Sequence, residues 1–270
     1  MTNTISPDQL LLQVNHLLDQ MIHSEKIRNI DVNKYFIVDS KLRLANEDCE
    51  VTINDVFSQL IGSIQNRSMM PNVIKYWDNK CDVFDDVLKH HNPTEVLKAY
   101  KTAEDLYNVI QEKWKDKKLS EKELKGLWKQ WCEGVLSAAQ FLAQFKNISE
   151  LRQAFGCIYN NTWSRPALPA LLEKEISGMR FTLACDFLKE CGYDYPKPDT
   201  HISDVFEHII STRDTYSVFK AVIQYAAELE ISAYQLDKMI WLVCSGNFYL
   251  DNKKCSSKKN ELIQSFRTII

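Results

Sequence analysis

The residues best suited to chemistry fall in two short stretches. The first is Ser177-Gly178-Met179-Arg180, a tight turn between two helical patterns. Gly178 supplies the backbone freedom such a turn needs. The helix after the turn starts at once, so its first N–H groups point outward at the positive end of the helix dipole, a place that suits a phosphate. The second stretch is Lys197-Pro198-Asp199-Thr200-His201. Pro198 stiffens the approach, and Asp199 stands just ahead of a new helix. A fixed carboxylate there can balance positive charge that builds on a sugar ring such as deoxyribose.

Helices must position both stretches. Residues 168–191 read as a helix, a turn and a second helix whose Leu183, Ala184, Phe187 and Leu188 face inward. Far upstream, Ser6-Pro7-Asp8 combines a capping hydroxyl, a first-turn proline and an acid, and Leu10, Leu11, Val14, Leu17, Leu18, Met21 and Ile22 then recur at helical spacing. Residues 31–51 break that pattern and read as irregular connection. Thr52 with Asp55 predicts a capped helix carrying Val56, Phe57, Leu60, Ile61 and Ile64, which stops near Asn66-Arg67-Ser68; Pro71 opens the next. Asn92-Pro93-Thr94-Glu95 predicts one helix whose apolar side runs through Val96, Leu97, Tyr100, Leu106 and Ile110. Ser120-Glu121-Lys122-Glu123 opens another that reaches Val135. Further helices are predicted over 149–158, 166–175, 181–191, 200–211, 215–229 and 232–244. The lysine-rich 114–118 segment reads as a solvated loop, and Lys253, Lys254, Lys258 and Lys259 as a solvated tail.

Composition agrees with helices throughout. Seven glycines and seven prolines in 270 residues are too few for the turns of a sheet-rich fold. The length allows one large domain or two lobes. A net charge of −3 argues against broad wrapping of a polyanion, although a local basic face would still serve. No apolar run approaches membrane-spanning length, and Met1 to Pro7 lacks a secretory pattern, so a cytoplasmic chain without a membrane partner is the expectation. The eight cysteines include no CxxC pair, which predicts reduced, mostly buried thiols and no structural zinc.

On Gly178 to Ala184 together with Lys197-Pro198-Asp199-Thr200-His201, the chain resembles the helix–hairpin–helix DNA glycosylase superfamily, the group that includes 8-oxoguanine glycosylase and endonuclease III. The resemblance implies an all-α fold over 1–270, with two helical lobes around a cleft and the motif at 168–191. It also implies a DNA-binding enzyme of base-excision repair that flips a damaged base from the duplex and cleaves its N-glycosidic bond. Asp199 matches the family's catalytic aspartate. Gly178, Met179, Arg180 and Thr182 match the phosphate-gripping hairpin, which a monovalent cation can join. Gln65, Asn66 and Arg67, after the Phe57–Ile64 helix, look like the polar wedge that fills the gap left by the base. Tyr234 to Trp241 is similar to a closing helix of some relatives, and Phe181, His201, Trp241 and Tyr225 are candidates to line the base pocket.

Three departures shape the expectation. Thr182 stands where bifunctional members carry the Schiff-base lysine, so hydrolysis without lyase chemistry is expected. Arg180 replaces a second hairpin glycine. The cysteine spacing of the iron–sulfur branch is missing, so no cluster is expected. Plainer readings stand beside these: Asp199 as an ordinary helix cap, Gln65 to Arg67 as a polar helix end, His201 as a hydrogen-bonded first-turn histidine, and Lys189 and Lys197 as solvated. The alternative function is a non-catalytic binder of DNA or a modified nucleobase, for instance within a bacterial defence system.

Overall fold

Side chains that satisfy free N–H groups set most of the helix starts. In the computed structural model of the chain, Ser6 caps α1 (Pro7–Ile22): its hydroxyl accepts from Gln9 N, and Gln9 answers by accepting from Ser6 N. Thr52 and Asp55 cap α2 (Ile53–Ile64) in the same reciprocal way. The described residues are 5–23, 30–37, 42, 44–46, 48–67, 70–76, 84–113, 124–161 and 163–269. The expected loop at 114–118, the helix start at 120–123 and Cys81 lie outside them.

The chain forms two compact units, residues 40–193 and residues 1–39 with 194–270. In the central unit, α2 is followed by α3 (Met70–Ile74), the single turn α4 (Asp85–Val87), α5 (Pro93–Ala99) and α6 (Ala103–Lys113). A π-helical turn at Leu124–Trp128 leads into α7 (Lys129–Leu142), then α8 (Ile148–Tyr159), α9 (Ala167–Glu175) and α10 (Phe181–Glu190). Helix α7 is the hub and packs on α2, α5 and α6. Tyr76, Phe84, Trp128 and Trp131 form a buried aromatic cluster beside it, and Trp131 Nε1 donates to Ile61 O at 3.2 Å.

The single helix expected from Asn92 to Ile110 is two. Tyr100 turns extended (φ −128°, ψ 126°), and its hydroxyl donates to Val87 O. Thr102 and Asp105 then open α6 with their own caps. Apolar spacing alone does not register such a break.

The terminal unit holds α1, a short 3-10 turn at Val32–Tyr35, α11 (Thr200–Ile210), α12 (Thr215–Glu228), α13 (Ala233–Ser245) and α14 (Lys259–Ile269). Leu10, Val14, Leu17 and Leu18 of α1 join Val205, Phe206, Val222, Ile240 and Val243 in its apolar core. The lysine stretch is solvated only in part: Lys253–Lys254 (β2) pairs antiparallel with Asn247–Phe248 (β1) and its two side chains are exposed as expected, whereas Lys258 pairs with Glu261 and Lys259 with Asp204. Among the described residues this ribbon is the only sheet, so the fold is mostly helical. No described helix is long and apolar enough to cross a membrane. The seven described cysteines are free thiols, and Cys132, Cys185, Cys191 and Cys244 are buried.

Candidate functional site

The turn at 176–180 lies in the central unit, bracketed by α9 and α10, which pack on each other. Gly178 takes φ +78°, a left-handed conformation that favours glycine. Ser177 N donates to Ser137 Oγ of α7 at 2.8 Å, and Met179 N donates back to Ile176 O at 3.1 Å. The turn can lie this close because Gly134 of α7 has no side chain. A Cβ there would sit 2.9 Å from Ser177 O and 2.9 Å from Ile64 Cγ2. Gly134→Ala is therefore expected to displace the turn and cost about 1–3 kcal/mol, read as a lowered denaturation midpoint; an unchanged midpoint would show that α7 does not set the turn.

The turn residues divide by role. Arg180 is exposed, occupies the N-cap of α10 and gives that helix no side-chain cap. Gly178 and Thr182 are half-buried. Met179 departs from the expected phosphate contact: its side chain is 2% exposed and its N–H is committed to Ile176, so it pins the turn. Phe181 is likewise buried in the central unit, which makes it a core ring. Lys189, expected in solvent, is buried on α10.

At the end of α2 the expected wedge separates into three different residues. Gln65 is 2% exposed, and its Oε1 accepts from Tyr76 N at 2.9 Å, so it braces the chain and is not available as a wedge. Arg67 is half-buried, with Nη1 donating to Gln130 Oε1 at 3.0 Å. Asn66 alone is exposed.

Asp199 belongs to the terminal unit, and an ordered lead-in fixes its position. Asp194 accepts from Ala233 N and Tyr234 N at the start of α13, at 3.2 and 2.8 Å. Tyr195 stacks on Phe219, and Lys197 N donates to the buried Asp237 at 3.3 Å. Asp199 then caps α11: Oδ1 accepts from His201 N at 2.8 Å and from Ile202 N at 3.2 Å. Both bonds fall on Oδ1, and among the described residues none is made to Oδ2. Burial first, and then the negative charge of Asp199, push the Cys244 thiol up to about 12.

His201 is half-buried beside Asp199, with its ring edge-to-face with Trp241 at 6.5 Å. Its Nδ1 is buried without a hydrogen-bond partner among the described residues, a state that costs about 1–3 kcal/mol. Trp241, half-buried, meets Tyr249 edge-on at 6.0 Å. Lys238 Nζ lies 5.5 Å from the Trp241 ring and 5.0 Å from that of Tyr249, and donates to the Tyr249 hydroxyl at 3.2 Å. Tyr225 is core instead, its hydroxyl donating to Ile5 O.

Sequence reasoning missed Asp194, Asp237 and the Lys238–Tyr249 contact. Buried mid-helix Asp237 is the one signal that was readable, because an acid there needs a partner. The terminal unit thus gathers Asp199, His201 and Trp241, while the central unit carries Gly178, Arg180, Thr182 and Asn66. Among the described residues no group of three or more His, Cys, Asp or Glu side chains is placed to hold a metal ion. Compared with protein families, curated proteins and solved structures, the chain matches none.

Proposed function

We propose that the chain is a monofunctional DNA N-glycosylase that hydrolyses the bond between deoxyribose and a damaged or modified base. The observation that carries this reading is Asp199. Its carboxylate is fixed by two N–H groups on one oxygen, which leaves the other to act. In the proposed reaction the base departs with the bonding electrons of the N-glycosidic bond. Asp199 balances the resulting oxocarbenium-like charge and takes a proton from the water that adds to the sugar carbon. Thr182 offers no amine, so the product is an abasic site, with no strand break through an imine.

Gly178 and Arg180 take the phosphate contact that the hairpin supplies, and Met179 holds the turn behind them. The half-buried ring of Trp241, edge-to-face with His201, supplies a π-face for an extruded base. Arg180→Ala tests the DNA contact: the plot of log affinity against log salt should lose about one unit of slope. Unchanged affinity and slope would remove the hairpin from the DNA interface. The alternative, a DNA binder without chemistry, would show the same slope change but release no base from any duplex.

A further inference from the structure

Three consecutive residues between α4 and α5, Lys89, His90 and His91, take φ of 53°, 54° and 57°. L residues enter that left-handed region singly and at a cost, so a run of three is strained. Hydrogen bonds brace the turn: His90 N donates to Asp85 O at 2.7 Å, Asn92 N donates to Lys89 O at 3.0 Å, and Asn54 Nδ2 of α2 donates to His90 O at 3.3 Å. The turn gives two neighbouring rings opposite surroundings. His90 projects into solvent, whereas His91 is 7% exposed.

The His91 ring sits in a polar chain that starts inside the central unit and ends at its surface. Ser58 Oγ of α2 lies 2.8 Å from the Tyr76 hydroxyl, and that hydroxyl lies 2.8 Å from His91 Nε2. On the other side of the ring, Nδ1 is 3.4 Å from Asp85 Oδ1, while Asp85 Oδ2 meets His90 Nδ1 at 2.6 Å. Tyr76 is buried, and burial keeps its hydroxyl protonated far above the ordinary tyrosine range. With His91 neutral, every proton of the chain has a place: Ser58 donates to Tyr76, Tyr76 donates to Nε2, and Nδ1–H faces Asp85.

A proton on His91 upsets that order. Nε2 becomes a donor to the Tyr76 oxygen, the Tyr76 proton turns to Ser58, and the Ser58 proton is forced out of the chain. The new cation is also held out of water, which disfavours it. Among the described residues, Asp85 of α4 is the carboxylate that faces the ring, Tyr76 after α3 is the other titratable group, and α2 brings only the neutral Ser58. Nearby charges are engaged elsewhere: Asp86 pairs with Lys113, Glu95 pairs with Lys98, and Lys89 lies over the Tyr100 ring. Asp85 offsets the cation only in part. It is half-buried, it holds His90 more closely, and it must serve two cations once His90 is protonated as well.

We propose that this chain is an acid-sensitive latch: neutral His91 holds the 89–91 turn against α2 and Tyr76, and a proton on His91 releases it. The neutral form favours the closed turn, so the latch holds at higher pH and opens as pH falls through the imidazole titration. Opening relaxes the left-handed run and loosens Tyr76, whose N–H also holds Gln65 at the end of α2. Nitrogen-resolved NMR of the full chain should show His91 at neutral pH with Nδ1 protonated and Nε2 bare. On acidification, hydrogen exchange at the Lys89, His90 and Asn92 amides, corrected for the intrinsic rate, should lose at least about tenfold in protection, in step with His91 protonation. His90→Gln should keep that step, and His91→Gln should abolish it. A His91 that carries its proton on Nε2 at neutral pH, or that becomes doubly protonated while those amides stay protected, would overturn the latch on the wild-type chain alone. So would an acid step that persists in a folded His91→Gln protein.

Discussion

Asp199→Asn should lower base release by at least about a hundredfold, with DNA affinity and thermal midpoint nearly unchanged. The magnitude follows from what one charged group contributes as a general base and as a counter-charge, about 10²–10⁴. The stability arm follows from the cap. Asn serves at an N-cap as well as Asp, and its amide oxygen can still accept from His201 N and Ile202 N. The midpoint should therefore move by no more than about 2 °C. Asp199→Ala separates the roles further, since it loses the charge and also the cap, the latter costing about 1 kcal/mol. Equal base release by wild type and Asp199→Asn would reduce Asp199 to a structural cap.

Gly246→Ala should cost more stability than a methyl added at Gly126, Gly134, Gly156 or Gly178. Gly246 ends α13 at φ +65°, where L side chains are strained. Its N–H donates to Leu242 O, and its carbonyl accepts from Cys255 N at 2.9 Å. An added Cβ would lie 2.4 Å from Cys255 O and 3.1 Å from Cys255 C, and those are backbone atoms that no rotamer change can move. Strain and overlap together should cost about 3–5 kcal/mol, a fall of roughly 10 °C in thermal midpoint. The damage should extend beyond α13, because the ribbon behind Gly246 carries Tyr249 and Asp251. Asp251 accepts from Lys34 Nζ at 2.5 Å and from the Tyr35 hydroxyl at 2.6 Å, and these bonds hold its carboxyl below the usual carboxylate range. A midpoint within about 1 °C of wild type would contradict this account of the helix end.

How much of this was legible depended on the range of the interactions. Ser6, Thr52, Asn92 and Asp199 each accept from N–H groups two or three residues ahead, so local spacing revealed those helix starts. The turn at Gly178 was readable for the same reason. Distant partners hid the rest. Gln65 has the look of a polar helix end until Tyr76, eleven residues on, claims its side chain. Asp194 is fixed by residues about forty positions away. Lys259, at the end of the lysine-rich stretch, looks solvated because its partner Asp204 lies fifty-five positions back. For Asp199 the cap was the plainer reading and the geometry bears it out; the proposed chemistry is added to that role and does not displace it.

The proposed cleavage of N-glycosidic bonds in DNA is read most directly from the free base itself. Wild-type protein would be incubated with duplexes each bearing a single modified base, and the supernatant analysed by mass spectrometry. One free base should appear, released from one class of duplex, with the strand intact until hot alkali cleaves it at the abasic site. Duplexes that all keep every base, under conditions where the protein binds them, would contradict it.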